Sequence, residues 1–179
     1  ANATIHTKTH VRNQSAKNVK VKVYYSLYNN KNIKVATFQS AQKTLLSGKG
    51  DYYESDAKIM SPALWSPDSP SLYTLHVTVL ADNKKVDEEQ IKVGIRDIKI
   101  TNEGCWINGK KTFLRGVNRH QEYPYIGYAL SDNAQYRDAY IIKQSGFDYV
   151  RCSHYPPSPA FLKACDELGI MVLDAVLGW

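Results

Sequence analysis

Nine residues from Val19 to Leu27, VKVKVYYSL, alternate without a break: Val19, Val21, Val23, Tyr25 and Leu27 share one face, and Lys20, Lys22, Tyr24 and Ser26 share the other. Successive side chains of a strand point to opposite sides of the pleat, so a period of two marks a strand with one buried and one wet face. The alternation recurs in LYTLHVTVL at 72–80, where Tyr73, Leu75, Val77 and Val79 oppose Thr74, His76 and Thr78. The turn ADNKK leads from there to a partner strand through Ile91, Val93 and Ile95, which predicts an antiparallel pair. Weaker strands near Thr4 to Val11, Ile33 to Phe38 and Asp51 to Ile59 bring the first hundred residues to about seven short strands with no helical period, the pattern of an immunoglobulin-like β-sandwich.

Between two of these strands SPALWSPDSP, at 61–70, breaks regular structure, because each proline lacks a donor and restricts its predecessor. Trp65 in this loop has two readings, a platform for stacking on sugar or a filler of the sandwich edge, and the second is the expectation. His10 and His76, alone on their strands, read as ordinary surface or edge residues.

After Ile100 the pattern changes. Trp106 and Ile107, then Asn108-Gly109, then Phe113 and Leu114 predict a hairpin with a type I′ turn. In LSDNAQYRDAYIIKQSGF, Asp132 is the expected N-cap with Gln135 three residues on; Tyr136, Ala139, Tyr140 and Ile142 supply an apolar stripe, and Gly146 ends the helix. Tyr149 to Ser153 is a short strand. Ser158-Pro159 opens a second helix with Phe161, Cys165 and Leu168 at helical spacing, Gly169 closes it, and IMVLD at 170–174 reads as a strand buried on both faces. The order strand, helix, strand, helix, strand is parallel α/β. The expected organisation is a sandwich over 1–97 and an α/β segment over 98–179. Three strands and two helices cannot cover both faces of a parallel sheet, so the second part is expected to open a larger domain.

Composition narrows the partners. The net charge of +6 is modest, and the lysines are dispersed rather than gathered on one face with aromatics between them, which argues against nucleic-acid binding. No apolar run approaches the roughly 18 residues of a membrane span, and no signal peptide is visible; the compartment stays open. Three cysteines, Cys105, Cys152 and Cys165, are too few and too irregularly spaced for a disulfide framework or a structural zinc site.

The stretch VRCSHYPPSP at 150–159 sets an arginine, a thiol and an imidazole within four positions, ahead of three prolines that stop the strand. Taken alone it could be a catalytic cluster, a metal site or a strand end carrying polar residues. Cys152 and His154 at alternate strand positions are too few ligands for zinc.

The longer stretch DYVRCSHYPPSPAFLKACDELGIMVLD at 148–174, with FLRGVNRHQEYP at 113–124 upstream, resembles the start of the catalytic barrel of glycoside hydrolase family 2. The match runs through Arg151, Cys152, Ser153, His154, Tyr155, Pro156, Phe161, Leu162, Asp166, Gly169 and the strand Ile170 to Leu173; Asp148 stands where the family usually has asparagine. Asn118-Arg119-His120 and Arg151-Cys152-Ser153-His154 look more like the β-galactosidase branch than the β-glucuronidase branch, which usually carries lysine in the first motif and threonine in the second. The family also places an immunoglobulin-like sandwich before its barrel, joined by a segment like VGIRDIKI at 93–100.

The resemblance implies an all-β immunoglobulin-like sandwich followed by the first strands and helices of a TIM barrel, in a retaining glycosidase acting on terminal β-linked sugars. It puts the two catalytic glutamates after the fourth and seventh barrel strands, so no catalytic residue is expected in this chain, which should be inactive alone. His120 and His154 look like sugar-hydroxyl contacts, and Arg151 would lie beneath the nucleophilic carboxylate, which a planar guanidinium keeps ionised and oriented. Asp174, at the end of a barrel strand, is expected to be active-site support. Trp179 could stack on a sugar or pack at the barrel mouth. The galactosidase branch often has a magnesium-ligating glutamate after this point, whereas here the chain reads Asp174-Ala175-Val176-Leu177-Gly178-Trp179, so no metal and no cofactor is expected here. The partners implied are a carbohydrate substrate and the remaining domains of the parent chain. The alternative is a non-catalytic module whose sandwich binds glycan or docks other domains.

Overall fold

The computed structural model describes residues 2–175. The chain divides into two compact units, one of Ala1–Ala63 with Leu72–Val93 and the other of Leu64–Ser71 with Gly94–Trp179.

The first unit is a β-sandwich. Its strands are β1 (Asn2–Arg12), β2 (Val19–Tyr28), β3 (Lys34–Gln39), β4 (Lys43–Leu45) and β5 (Gly50–Met60), followed, after the short β6 (Trp65–Ser66) and β7 (Ser69–Pro70) of the second unit, by β8 (Leu72–Ala81) and β9 (Lys84–Gly94). Strands β1 and β5 pair antiparallel over their whole length, and the second sheet has the order β3-β2-β8-β9 with β4 also on β2. The core follows the alternation: Val21, Val23, Tyr25 and Leu27 of β2 are buried, as are Tyr73, Leu75, Val77 and Val79 of β8, with Tyr25 opposite Val77 across the ladder. The Tyr25 hydroxyl donates to the Tyr53 carbonyl at 3.2 Å, which satisfies a polar group inside the sandwich. Strand β9 is more exposed than its apolar residues suggest, Ile91 and Val86 among them, because it lies at the edge of its sheet with β8 as its neighbour.

The second unit starts with an antiparallel meander of β10 (Ile98–Thr101), β11 (Gly104–Ile107) and β12 (Lys110–Thr112). Asn108 and Gly109 join β11 to β12 with φ of 52° and 78°, the left-handed pair that a type I′ turn requires. There follow β13 (Gly116–Arg119), α1 (Asp132–Gln144), β14 (Tyr149–Cys152), α2 (Pro159–Leu168) and β15 (Met171–Leu173). The three strands form one parallel sheet in chain order, with Gly116 beside Tyr149 and Arg151 beside Leu173. Ala139 of α1 and Phe161, Ala164 and Cys165 of α2 pack with Val150, Cys152 and Ile170 into a single buried cluster. A sandwich followed by the opening of a TIM barrel is therefore the architecture of the chain.

Several local expectations need correction. Ser131, not Asp132, caps α1: its hydroxyl accepts from the Ala134 amide at 3.4 Å, and Asp132 becomes the acidic residue of the first turn, favourable near the positive end of the helix. The helix is also rotated from the apolar stripe read in the sequence. Gln135 and Ala139 are buried while Tyr136 and Tyr140 are exposed, because a buried arginine, described below, draws the polar Gln135 and Asp138 inward. Strand β15 is not buried on both faces: Leu173 is half-exposed, as the strand has β14 on one side and no further strand among the described residues on the other. The second helix follows expectation, with Ser158 at the N-cap, Pro159 in the first turn and Gly169 closing it at φ 76°.

Trp65 does not fill the sandwich edge. It is 1 % exposed and packs within the second unit, where its indole N–H donates to the Asp166 carbonyl of α2 at 2.8 Å and the Arg96 guanidinium lies 4.7 Å from the ring centroid. Its backbone is tied as well, by the Ile95 carbonyl at 2.8 Å and the Asn108 side-chain amide at 3.0 Å. Nearby, Lys143 Nζ donates to Asp148 at 2.9 Å and to the carbonyls of Pro67 and Gly169 at 3.0 and 3.1 Å. These bonds attach the Leu64–Ser71 segment to the rest of this unit.

Candidate active site

Parallel strands in register bring their C-terminal ends to one edge of the sheet. His120 follows β13, Ser153 and His154 follow β14, and Asp174 follows β15, so residues up to 54 positions apart share that edge. In α/β sheets this edge is where ligands bind, because the loops leaving it are free to carry chemistry on a rigid base. The Ser153 amide donates to the Arg119 carbonyl at 3.1 Å, which continues the ladder one step past β14. The Ser153–His154 peptide is cis.

The rings of His120 and His154 meet edge to face, with centroids 5.9 Å apart, and both side chains are exposed. Tyr155 adjoins His120 at 6.3 Å, and Tyr128, from the loop after β13, adjoins Tyr155 at 5.5 Å. The Gln121 amide donates to the Tyr155 hydroxyl at 2.7 Å, and the Gln121 side-chain oxygen accepts from the Ser158 amide at 3.1 Å. Two hydrogen bonds thus stitch the loop after β13 to the loop after β14 and hold the histidine pair between them.

The two arginines of this region have different tasks. Arg119 is buried and fully engaged: Nε and Nη2 both donate to Asp138 Oδ2, at 3.0 and 2.7 Å, and Nη2 also donates to Gln135 at 2.8 Å. Its guanidinium lies 3.9 Å from the Phe161 ring centroid. Arg151 is half-buried, and its bond is to the Ser153 hydroxyl at 3.2 Å; among the described residues it has no carboxylate partner. A planar, permanently charged fork left with one neutral partner is suited to receive a carboxylate.

Cys152 is not a reactive thiol. Burial, helped by the charge of Asp174, pushes its pKa up to about 11, so it stays protonated and serves as a small packing residue. Cys165 is pushed up to about 12 for the same main reason. Asp174 itself is exposed, and its Oδ1 accepts from the Ala175 amide at 2.8 Å. Among the described residues no three histidine, cysteine or acidic side chains come together as a metal site. Trp179 lies outside the described residues.

Sequence reasoning did not single out Asp138, Tyr123, Tyr128 or Gln121, and it read Gln135 only as the residue three places after the expected helix cap. The signal for Gln135 and Asp138 was present, since polar residues at 135 and 138 share the face of Ala139 and Ile142, and a polar pair on a helix's buried face calls for a charged partner.

Comparison with known proteins fits this geometry. Residues 1–96 match the model described as glycosyl hydrolases family 2, and residues 98–177 match that family's TIM barrel domain. The chain belongs to glycosyl hydrolases family 2. A β-galactosidase of Thermoanaerobacter pseudethanolicus is 44 % identical over 124 residues, which cover 68 % of this chain and 17 % of that protein. Among solved structures, a family 2 member from Bacteroides cellulosilyticus superposes with a TM-score of 0.90 at 33 % identity, covering 98 % of this chain and 23 % of that one. The β-glucuronidase of Bacteroides uniformis also superposes at 0.90, with 28 % identity over 96 % of this chain and 21 % of its own. The chain therefore spans less than a quarter of the length of these glycosidases.

Proposed function

We propose that the protein carrying this chain is a retaining glycosidase that removes terminal β-linked sugars, β-galactosides in the first place, and that residues 1–179 supply its sugar-contacting side without its catalytic carboxylates. The observation that carries the reading is Arg151: a half-buried guanidinium at a strand end, with the Ser153 hydroxyl as its partner, beside a histidine pair open to solvent. Retention needs two carboxyl groups roughly 5 to 5.5 Å apart, one to protonate the leaving oxygen and one to attack the anomeric carbon. Arg151 would hold the attacking carboxylate ionised, and His120 and His154 would bond the sugar hydroxyls, more strongly as charge develops at the ring. Asp174 would support the strand end.

A neutral sugar is favoured over a glucuronide by the fate of Arg119. It stands in the first motif where the glucuronidase branch usually carries lysine, and here it is neutralised by Asp138 and closed off from a substrate carboxylate. The test is turnover by the full-length protein of aryl β-galactoside, β-glucuronide and β-mannoside. The expected result is hydrolysis with retention and a preference for the galactoside, while residues 1–179 alone turn over none of the three. Absence of turnover on all three by the full-length protein overturns the reading.

A further inference from the structure

The loop between β13 and α1 exposes more apolar surface than a connecting segment needs. Tyr125 is 106 % exposed, Tyr128 60 % and Ile126 50 %. The loop is nevertheless firmly built. The Tyr123 and Gly127 amides donate to each other's carbonyls, both at 3.0 Å, and Tyr125 at the tip takes φ 72°; the Leu130 amide then donates to the Tyr128 carbonyl at 2.9 Å. At its base the Tyr123 hydroxyl donates to Asp138 Oδ1 at 2.8 Å, while Oδ2 of the same carboxylate holds Arg119, the residue before His120. One carboxylate thus fixes both the strand end that carries His120 and the turn that carries the tyrosines.

Tyr128 is also linked to the site. Its ring meets Tyr155 edge-on at 80°, and Tyr155 meets His120 at 63°, so an aromatic series runs outward from the histidine pair to the exposed face of Tyr128. Resting on the glycosidase reading above, the direction of this series has a meaning. On that reading a terminal sugar seated on His120 and His154 at the strand ends would project its leaving group away from them, and a side chain on the loop beyond Tyr155 would be placed to meet that projecting part.

We propose that Tyr128, backed by Tyr155 and extended by Tyr125 on the same turn, is a recognition surface for the leaving-group side of the glycoside, taking a pyranose or aryl ring next to the sugar that is cleaved. A flat ring with one free face offers large contact area at small conformational cost, and a turn already ordered by reciprocal hydrogen bonds loses little further freedom on binding.

The experiment compares Tyr128→Ala and Tyr128→Leu with wild type in the full-length protein, on three substrates of one sugar: the aryl glycoside, a disaccharide, and the glycosyl fluoride, whose leaving group is a single atom. Loss of the ring should lower kcat/KM for the aryl glycoside and the disaccharide by about tenfold and leave the fluoride within about twofold. Tyr128→Leu, which keeps bulk against Tyr155, guards against a misfolded loop and should show the same split. Equal losses on all three substrates, or no loss on any, overturn this inference while the glycosidase reading stands. Absence of wild-type turnover on all three overturns that reading, and the inference with it.

Discussion

Asp138 accepts two hydrogen bonds from Arg119 on one oxygen, the shorter at 2.7 Å, and the pair is nearly enclosed, with 17 % and 6 % of the respective side chains exposed. Removing one member leaves the other charge buried without a counter-charge, and the remaining bond to Gln135 cannot replace it. Asp138→Ala should therefore destabilise the second unit by about 3–5 kcal/mol. Arg119→Met combined with Asp138→Leu should recover most of that loss, since the desolvated charges leave together. Thermal unfolding of the three variants checks both statements.

Arg151 is expected to behave in the opposite way. Its described bond is to a serine hydroxyl, so Arg151→Ala should shift stability by no more than about 1 kcal/mol. In the full-length protein the same substitution should reduce kcat/KM roughly a hundredfold, the scale of removing one positioned charge from a transition state. Melting temperature and steady-state kinetics measured on one preparation separate the two effects.

The thiols give a chemical test of the strand end. Cys152 and Cys165 are buried, with pKa values raised to about 11 and about 12, whereas Cys105 is partly exposed. Iodoacetamide at pH 8 should alkylate Cys105 and spare the other two until the protein is unfolded, because the thiolate is the reacting species. Mass spectrometry of the native and denatured digests reads this directly, and rapid native modification of Cys152 would contradict its role as packing.

Asp166 illustrates how burial acts on pH dependence. Desolvation raises its pKa, partly opposed by Arg96. A carboxyl whose folded pKa lies above its unfolded value binds its proton more tightly in the folded state, so it lowers stability once pH exceeds the unfolded value, and the penalty disappears as pH falls below it. Asp166→Asn should accordingly raise the melting temperature at neutral pH and give a gain that shrinks toward pH 3. The backbone carbonyl that receives the Trp65 indole is unchanged by the substitution.

The parts of this chain that were legible are those that local chemistry determines. The alternation in β2 and β8 specified both the strands and their buried faces, Asn108-Gly109 specified the hairpin turn, and Ser158, Pro159 and Gly169 bounded α2. His120, Arg151 and His154 were picked out by the resemblance to the family's motifs, and the parallel register of β13 and β14 brings the ends of their two strands to one edge of the sheet. What escaped was tertiary. Nothing near Arg119 in sequence shows that it is enclosed by a helix beginning 13 residues later, and that enclosure is what turns Gln135 and Asp138 inward and Tyr136 and Tyr140 outward. The destination of Trp65 was hidden for the same reason, because its indole bond spans 101 residues.

That bond has a consequence for the order of synthesis. A ribosome releases Trp65 and Pro67 long before α2 and its closing Gly169 exist, yet the Asp166 carbonyl and Lys143 need those earlier residues as partners. The second unit is thus assembled from pieces made at two separate times, with strands β8 and β9 translated in between. A gene cut just before Gly94 would encode all three parallel strands and both helices and still omit the buried indole that bonds to the Asp166 carbonyl of α2.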